Sequence, residues 1–494
     1  MNHLVTACNN FVAGKFVPAS GEVQSVVSPQ TGAVIGQFHQ STKADVQTAI
    51  AAAKKASITW GKTPIKERAT LLLGLRNILI RDLETISKQV AAESGKTFNE
   101  ARAGILKGIE VLEFATSLQN ADHGGRLQVS RGVFCEYRRE ALGVVAGITP
   151  FNFPAMVPMW MIPIALATGN VFVWKPSDKV PLTSNLLAKA IQEAGFPDGV
   201  FTVIQGGREA VETILDHPDI AAVGFVGSTP IAKSVYARGT SNGKRVLALG
   251  GAKNPIILMP DADVEMATQG IADSFTGCAG QRCMAASVLL AVSDNEGKTD
   301  KLISGIVSRA SKIRAGSEMG ALISKESLEK LTKAIDQAVK DGAKLLLDGR
   351  NPQVSAELKG GFWLGPTILD KVAPNSTAAC SELFGPIISI VRCKNLSEAL
   401  AFEAASNYGN ACSVFTQNGA IAERVANEST AGMIGVNIGV PVPREPFSFG
   451  GTKTSKFGAG DITGASGVEF WSQLKKVTIK WAESPEKSDK NWMS

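Results

Sequence analysis

Between Ala141 and Trp174 the chain carries no charged side chain. A run of that length permits two fates, the interior of a membrane or the interior of a folded core. Pro150, Pro154, Pro158 and Pro163 interrupt it, and Asn152, Gly169 and Asn170 add breaks and polar groups that lipid cannot satisfy. The run therefore reads as strand, turn, buried helix and next strand of an interior sheet. A sheet buried on both faces is parallel and covered by helices. The surrounding chain carries the matching alternation, with short apolar strands predicted at 144–148, 171–174, 200–204 and 222–226 and helical stretches between them. A second alternating series runs from Pro255 to Ile438. With 494 residues, too many for one core, the expectation is an α/β protein with two doubly wound units.

The ends of the chain read differently. The first forty residues alternate and carry turn signals, which predicts short antiparallel strands. Helices follow: one capped by Ser41 or Thr42 with Val46 and Ile50 on one face, one opened by Thr63-Pro64 with Leu71, Leu72, Leu75 and Ile78 at core spacing, and one over about 99–114. Residues 126–137 and 471–481 alternate as exposed strands, and exposed strands seek partners, so these are candidates for subunit contact. The chain is 44% hydrophobic and 19% charged, a globular composition. Its net charge of +6 lacks long basic runs, so an anionic ligand fits and a nucleic-acid partner is not expected.

Seven cysteines, at 8, 135, 278, 283, 380, 393 and 412, form no CxxC pair, which predicts a reducing, cytoplasmic setting without a disulfide framework. The histidines at 3, 39, 123 and 217 are scattered, and no metal site is expected. Met1 to Val5 opens no signal or transit pattern.

Chemistry concentrates in a few motifs. Cys283 ends Gly277-Cys278-Ala279-Gly280-Gln281-Arg282-Cys283 and precedes an apolar run, the placement either of an exposed nucleophile at a sheet edge or of a small buried hydrophobe, as most free cysteines are. Arg282 beside it can lower the thiol's pKa, and the thiolate is the nucleophile. Phe225-Val226-Gly227-Ser228-Thr229-Pro230 ends a strand where Gly227 allows a sharp turn and Ser228 with the next amides can meet a pyrophosphate. Trp174-Lys175-Pro176-Ser177-Asp178 ends another strand, on the edge where open α/β sheets place ligands. Asn152, in Thr149-Pro150-Phe151-Asn152-Phe153-Pro154, is either a helix cap or an amide donor to an oxyanion. The glycine fingerprint GxGxxG is missing, and three Gly-Lys-Thr tripeptides lack the P-loop glycine and read as turns.

With Glu382-Leu383-Phe384-Gly385-Pro386, these motifs stand in the order and spacing of the aldehyde dehydrogenase superfamily, which the whole chain resembles. Gln281-Arg282-Cys283-Met284-Ala285, the block 151–163 and Pro441-Val442-Pro443 before Phe447-Ser448-Phe449 resemble its CoA-acylating methylmalonate-semialdehyde (malonate-semialdehyde) dehydrogenases. The resemblance implies a thioester on Cys283, with Asn152 and the Cys283 amide holding the aldehyde oxygen. It implies an NAD site lined by Thr149, Phe151, Lys175, Asp178, Lys179, Ser228 and Gly250, with Glu382 on the nicotinamide ribose, and Arg282 and Lys107 as anchors of a substrate carboxylate. Coenzyme A would be the co-substrate, and the chain a homodimer or homotetramer. The implied units are a dinucleotide-binding domain at 1–123 and 144–251, a catalytic domain at 252–440, and an oligomerisation arm at 124–143 and 470–494.

Three departures bear on substrate and outcome. Leu247-Ala248-Leu249-Gly250-Gly251-Ala252-Lys253-Asn254 has no carboxylate where hydrolytic relatives keep a general base, as in the acylating subfamily. Lys107 stands where that subfamily has arginine, and Arg444 and Glu445 enter a loop normally without charge. The alternatives are a hydrolytic dehydrogenase of another acidic aldehyde and a catalytically silent structural relative. Intact Cys283, Asn152 and Glu382 speak against the latter.

Overall fold

The computed structural model describes residues 4–121 and 124–481. The expected arm therefore lies outside the described residues over 482–494, as do Met1 to His3 of the amino-terminal reading. The uncharged run folds as strand Val144–Ile148, helix Met156–Ala167 and strand Val171–Lys175, with both strands wholly buried. Among the described residues no helix is long and apolar enough to cross a membrane.

Those strands are the centre of an eight-stranded sheet. Its order is Lys456–Phe457, Arg245–Leu249, Ile220–Val226, Val144–Ile148, Val171–Lys175, Phe201–Val203, Asn10–Val12, Lys15–Val17. The five strands from Arg245–Leu249 to Phe201–Val203 are parallel, and the flanking ones antiparallel. A second sheet runs Lys344–Leu347, Thr367–Asp370, Ile387–Cys393, Ala286–Val292, Asn254–Leu258, Ala411–Phe415, Met433–Val436, parallel except at its first pair. The arm is a three-stranded antiparallel sheet of Ser472–Lys480, Val133–Ala141 and Gly124–Ser130.

Three details differ from the sequence reading. The first forty residues are only partly antiparallel, because Ala7–Cys8 lies parallel to Val34–His39. Helix Leu83–Ser94 was not foreseen. Its buried face includes Ser87, Gln89, Glu93 and Ser94, so the apolar period that announces a helix is broken by polar groups: Gln89 and Glu93 accept from distant amides, and Ser87 and Ser94 donate to carbonyls of their own helix. Segment 441–469, outside every predicted unit, returns to the first sheet, where Lys456–Phe457 pairs with Arg245–Leu249. Thr42 rather than Ser41 caps helix Lys43–Trp60, in a reciprocal box with Asp45.

The two large sheets meet end to end in opposite senses. Gly250, Ser228, Thr149 and Lys175 follow or end four adjacent parallel strands of the first sheet, so they line its carboxyl edge over roughly 14 Å at ordinary strand spacing. Pro386, Cys283, Asn254 and Asn410 lie at the starts of four adjacent strands of the second. Only the first sheet obeys the carboxyl-edge rule.

Candidate active site

The loop before Cys283 has a tightly constrained backbone. Cys278 (φ 56°), Ala279 (φ 51°) and Gly280 (φ 65°) are consecutive left-handed residues, a conformation that costs non-glycine residues energy and survives only where contacts over-determine it. Those contacts are present. Glu100, on helix Phe98–Ser117, accepts from the Cys278 amide at 2.5 Å. The Gln281 side chain donates to the Ala321 carbonyl and accepts from the Ile323 amide. Position 280 must be glycine, because a Cβ there would meet the Gly385 carbonyl oxygen at 2.0 Å.

Cys283 is half-buried rather than exposed. Burial pushes its thiol up to about 12, the charge of Glu382 adds to the rise, and Arg282 with the Cys283 and Met284 amides pulls less strongly the other way. The expected activation by Arg282 is thus outweighed. Asn254 and Asn410 donate to the Cys283 carbonyl at 2.7 and 3.0 Å, and Asn254 also bonds the Ala285 carbonyl and the Ala411 amide. Neither asparagine was singled out from sequence, since only the tertiary pairing of strand starts brings them to the nucleophile. Asn152 is buried and gives one amide hydrogen to the Gln281 carbonyl at 3.1 Å, which leaves the other for an incoming oxygen.

The proposed carboxylate anchors are otherwise engaged. The Arg282 guanidinium donates to the Asp273 and Ser274 carbonyls, near the carboxyl end of helix Val264–Thr276, where unpaired carbonyls favour a cation. Lys107 is ion-paired with Glu110 at 3.0 Å and Glu445 at 3.1 Å. It lies seven residues beyond Glu100, hence on the same helix face about 10 Å further along. A cavity of about 510 Å³ lined by Glu110, Phe114, Ser117, Arg444, Glu445 and Pro446 continues outward from there.

Along the first sheet's edge, Ser228 caps helix Thr229–Ser241 by position, yet its hydroxyl makes no capping bond and is free for a ligand oxygen. Gly250 allows close approach of the Thr454 carbonyl, which a Cβ would meet at 2.7 Å. The Thr149 hydroxyl accepts from the Trp174 indole at 2.9 Å. Lys175 is buried, and desolvation lowers it to about 8 while Asp178 opposes the fall. Asp178 and Lys179 are exposed, and the Lys179 ammonium stands 5.5 Å from the Phe151 ring, which meets Phe384 edge-on. Glu382 accepts from the Ala252 amide at 2.9 Å, and burial raises its pKa.

A cysteine framed by the amino edge of one doubly wound sheet and faced by the carboxyl edge of another is the layout of a two-domain oxidoreductase. The sequence profile of the aldehyde dehydrogenase family matches residues 16–477, and the chain belongs to that family. It is 40% identical over 486 residues to malonate-semialdehyde dehydrogenase 1 of Geobacillus thermodenitrificans, covering 97% of this chain and 99% of that one. Methylmalonate-semialdehyde dehydrogenase from Oceanimonas doudoroffii superposes with a TM-score of 0.95 at 37% identity, over 97% of this chain and 99% of that one. The NAD+ complex of aldehyde dehydrogenase from Bacillus cereus gives 0.90 at 29% identity, over 96% of each chain.

Proposed function

We propose that this chain oxidises malonate or methylmalonate semialdehyde with NAD and passes the acyl group to coenzyme A, releasing acetyl-CoA or propionyl-CoA and carbon dioxide. The names of the relatives support the substrate class. One observation carries the acylating outcome: Ala248 is wholly buried within strand Arg245–Leu249, and the stretch around it presents no carboxylate to activate water.

The crevice suits a dinucleotide. Ser228 and the start of helix Thr229–Ser241 offer an unpartnered hydroxyl and amides for a pyrophosphate, and exposed Asp178 can accept from a ribose hydroxyl. Lys175, Thr149, Phe151, Lys179 and Gly250 complete its lining, and Glu382 would reach the nicotinamide ribose. NAD bound there supplies the hydride acceptor. Cys283 gives its proton to solvent and attacks the aldehyde carbon, while Asn152 and the Cys283 amide hold the oxygen. Departure of hydride leaves a thioester on Cys283. The acyl group on Cys283 then loses its distal carboxylate as carbon dioxide, the carbon beside the thioester carbonyl taking a proton from solvent. The CoA thiol attacks the remaining acetyl or propionyl thioester, so that the bond to Cys283 breaks and the thiol is restored.

In this reading 1–123 and 144–251 carry the cofactor and 252–440 the nucleophile. The arm, with Leu127, Val129 and Leu474 exposed on its strands, joins subunits into a homodimer or homotetramer.

One observation favours a hydrolytic route. Glu382, half-buried and bonded to the Ala252 amide at 2.9 Å beside the stretch that lacks the base, is a carboxylate that could substitute for it. Mass-spectrometric analysis of products with and without CoA separates the two. Acyl-CoA, with an NADH burst followed by slow turnover when CoA is absent, is expected. Full-rate release of free acid unchanged by CoA would eliminate the acylating reading.

A further inference from the structure

Lys107 does not stand open for a substrate. Its ammonium has three donors, and two are taken by Glu110 and Glu445. The Glu445 side chain is only 8% exposed, and its one ion-pair partner among the described residues is Lys107. Beyond Glu110 the alternation continues to Arg444, 3.7 Å away and 80% exposed. The network Glu445–Lys107–Glu110–Arg444 is thus neutral, a sum of two negative and two positive charges. Its Lys107 and Glu110 lie on the helix that supports the Cys283 loop: Glu100, seven residues before Lys107 on helix Phe98–Ser117, accepts from the Cys278 amide.

We propose that Glu445 determines substrate specificity as a built-in counter-ion of Lys107, one that an aldehyde's distal carboxylate must displace to bind. This rests on the reading above that the substrate is a carboxylate-bearing aldehyde. The exchange balances in charge, since one carboxylate replaces another on the same ammonium. The cavity beside Glu445 gives the displaced side chain room, and Arg444 on its wall gives it a cation to meet. A neutral aldehyde leaves the pair closed. Glu445 therefore weakens binding of the anionic substrate, and acts through Lys107 rather than on the reacting atoms.

The test is the ratio of kcat/KM for malonate semialdehyde to that for propanal, in wild type and variants. Glu445→Gln should raise the ratio by roughly tenfold, through KM, because Lys107 regains a donor for a charge-assisted bond. Lys107→Met should lower it, and adding Lys107→Met to Glu445→Gln should erase the gain. Lys107→Arg, which keeps the charge should the other variants fold poorly, should also raise it, since the guanidinium fork can serve two carboxylates. A ratio unmoved or lowered by Glu445→Gln and Lys107→Arg would overturn the inference, because a purely structural role for Glu445 changes both aldehydes alike. A wild type that oxidises propanal but not malonate semialdehyde would instead defeat the substrate reading itself.

Discussion

Asn254, the first residue of strand Asn254–Leu258, donates to the carbonyl of Cys283 at 2.7 Å, so the peptide of the proposed nucleophile is held by the neighbouring strand. The same amide reaches the Ala285 carbonyl at 3.1 Å, and Asn410 adds a second donor to Cys283 at 3.0 Å. Catalysis by an oriented thiol needs its backbone fixed in just this manner, because small errors in attack geometry are costly.

Asn254→Ala should therefore lower kcat by roughly tenfold to a hundredfold with little change in KM for NAD, since Asn254 is not among the residues proposed to line the cofactor site. Steady-state kinetics with varied NAD checks it. A variant with wild-type kcat would show that Asn410 alone suffices.

Asn152→Ala should lower kcat by roughly a hundredfold or more, the usual effect of removing an oxyanion donor. Cys283→Ala should abolish turnover while retaining NAD binding, measured by fluorescence titration. Appreciable turnover by the cysteine variant would sink the thioester mechanism.

The thiol's behaviour with pH follows from its surroundings. With Cys283 pushed up to about 12, the free enzyme holds it protonated at neutral pH, and the reactive thiolate fraction rises about tenfold per pH unit. Alkylation by iodoacetamide should thus accelerate from pH 7 to 9.5 without a plateau. Glu382→Gln removes a charge that opposes the thiolate, so it should speed alkylation at pH 7.5 by roughly threefold to tenfold. A plateau near pH 8, or slower alkylation of the variant, would contradict this electrostatic account.

NAD should be preferred over NADP. Asp178 is exposed beside the first sheet's ligand edge, where a carboxylate accepts from ribose hydroxyls and repels a 2′-phosphate. Asp178→Ala should narrow the preference by roughly tenfold. Equal kcat/KM for the two cofactors in the wild type would refute the assignment.

Stability offers a separate check at Glu93, a buried carboxylate that accepts from the Leu182 amide at 2.7 Å and the Thr183 amide at 2.9 Å, besides the Thr183 hydroxyl. Glu93→Ala orphans those donors and should destabilise the first unit by about 2–3 kcal/mol. A urea midpoint equal to that of the wild type would show that water replaces the carboxylate at no cost.

Sequence alone determined the architecture wherever burial has a period. Strand Val144–Ile148 was legible to the residue, and helix Lys43–Trp60 from its cap and apolar face, because a buried strand or helix face must repeat its apolar positions along the chain. The motifs that carry the family resemblance were legible too, since Cys283, Asn152 and Glu382 each sit in a distinctive local string. Helix Leu83–Ser94 escaped because its buried face is polar and satisfied by distant partners such as the amides of Leu182 and Thr183. The state of the charged groups was decided only by the tertiary structure. Arg282 adjoins Cys283 in sequence, yet its guanidinium turns to the carbonyls of Asp273 and Ser274. Lys107 has Glu110 three residues on along its helix, but it meets Glu445 only when a loop more than three hundred residues away folds over it. Charge and burial act through space, so partners remote in sequence set them and no local pattern records them.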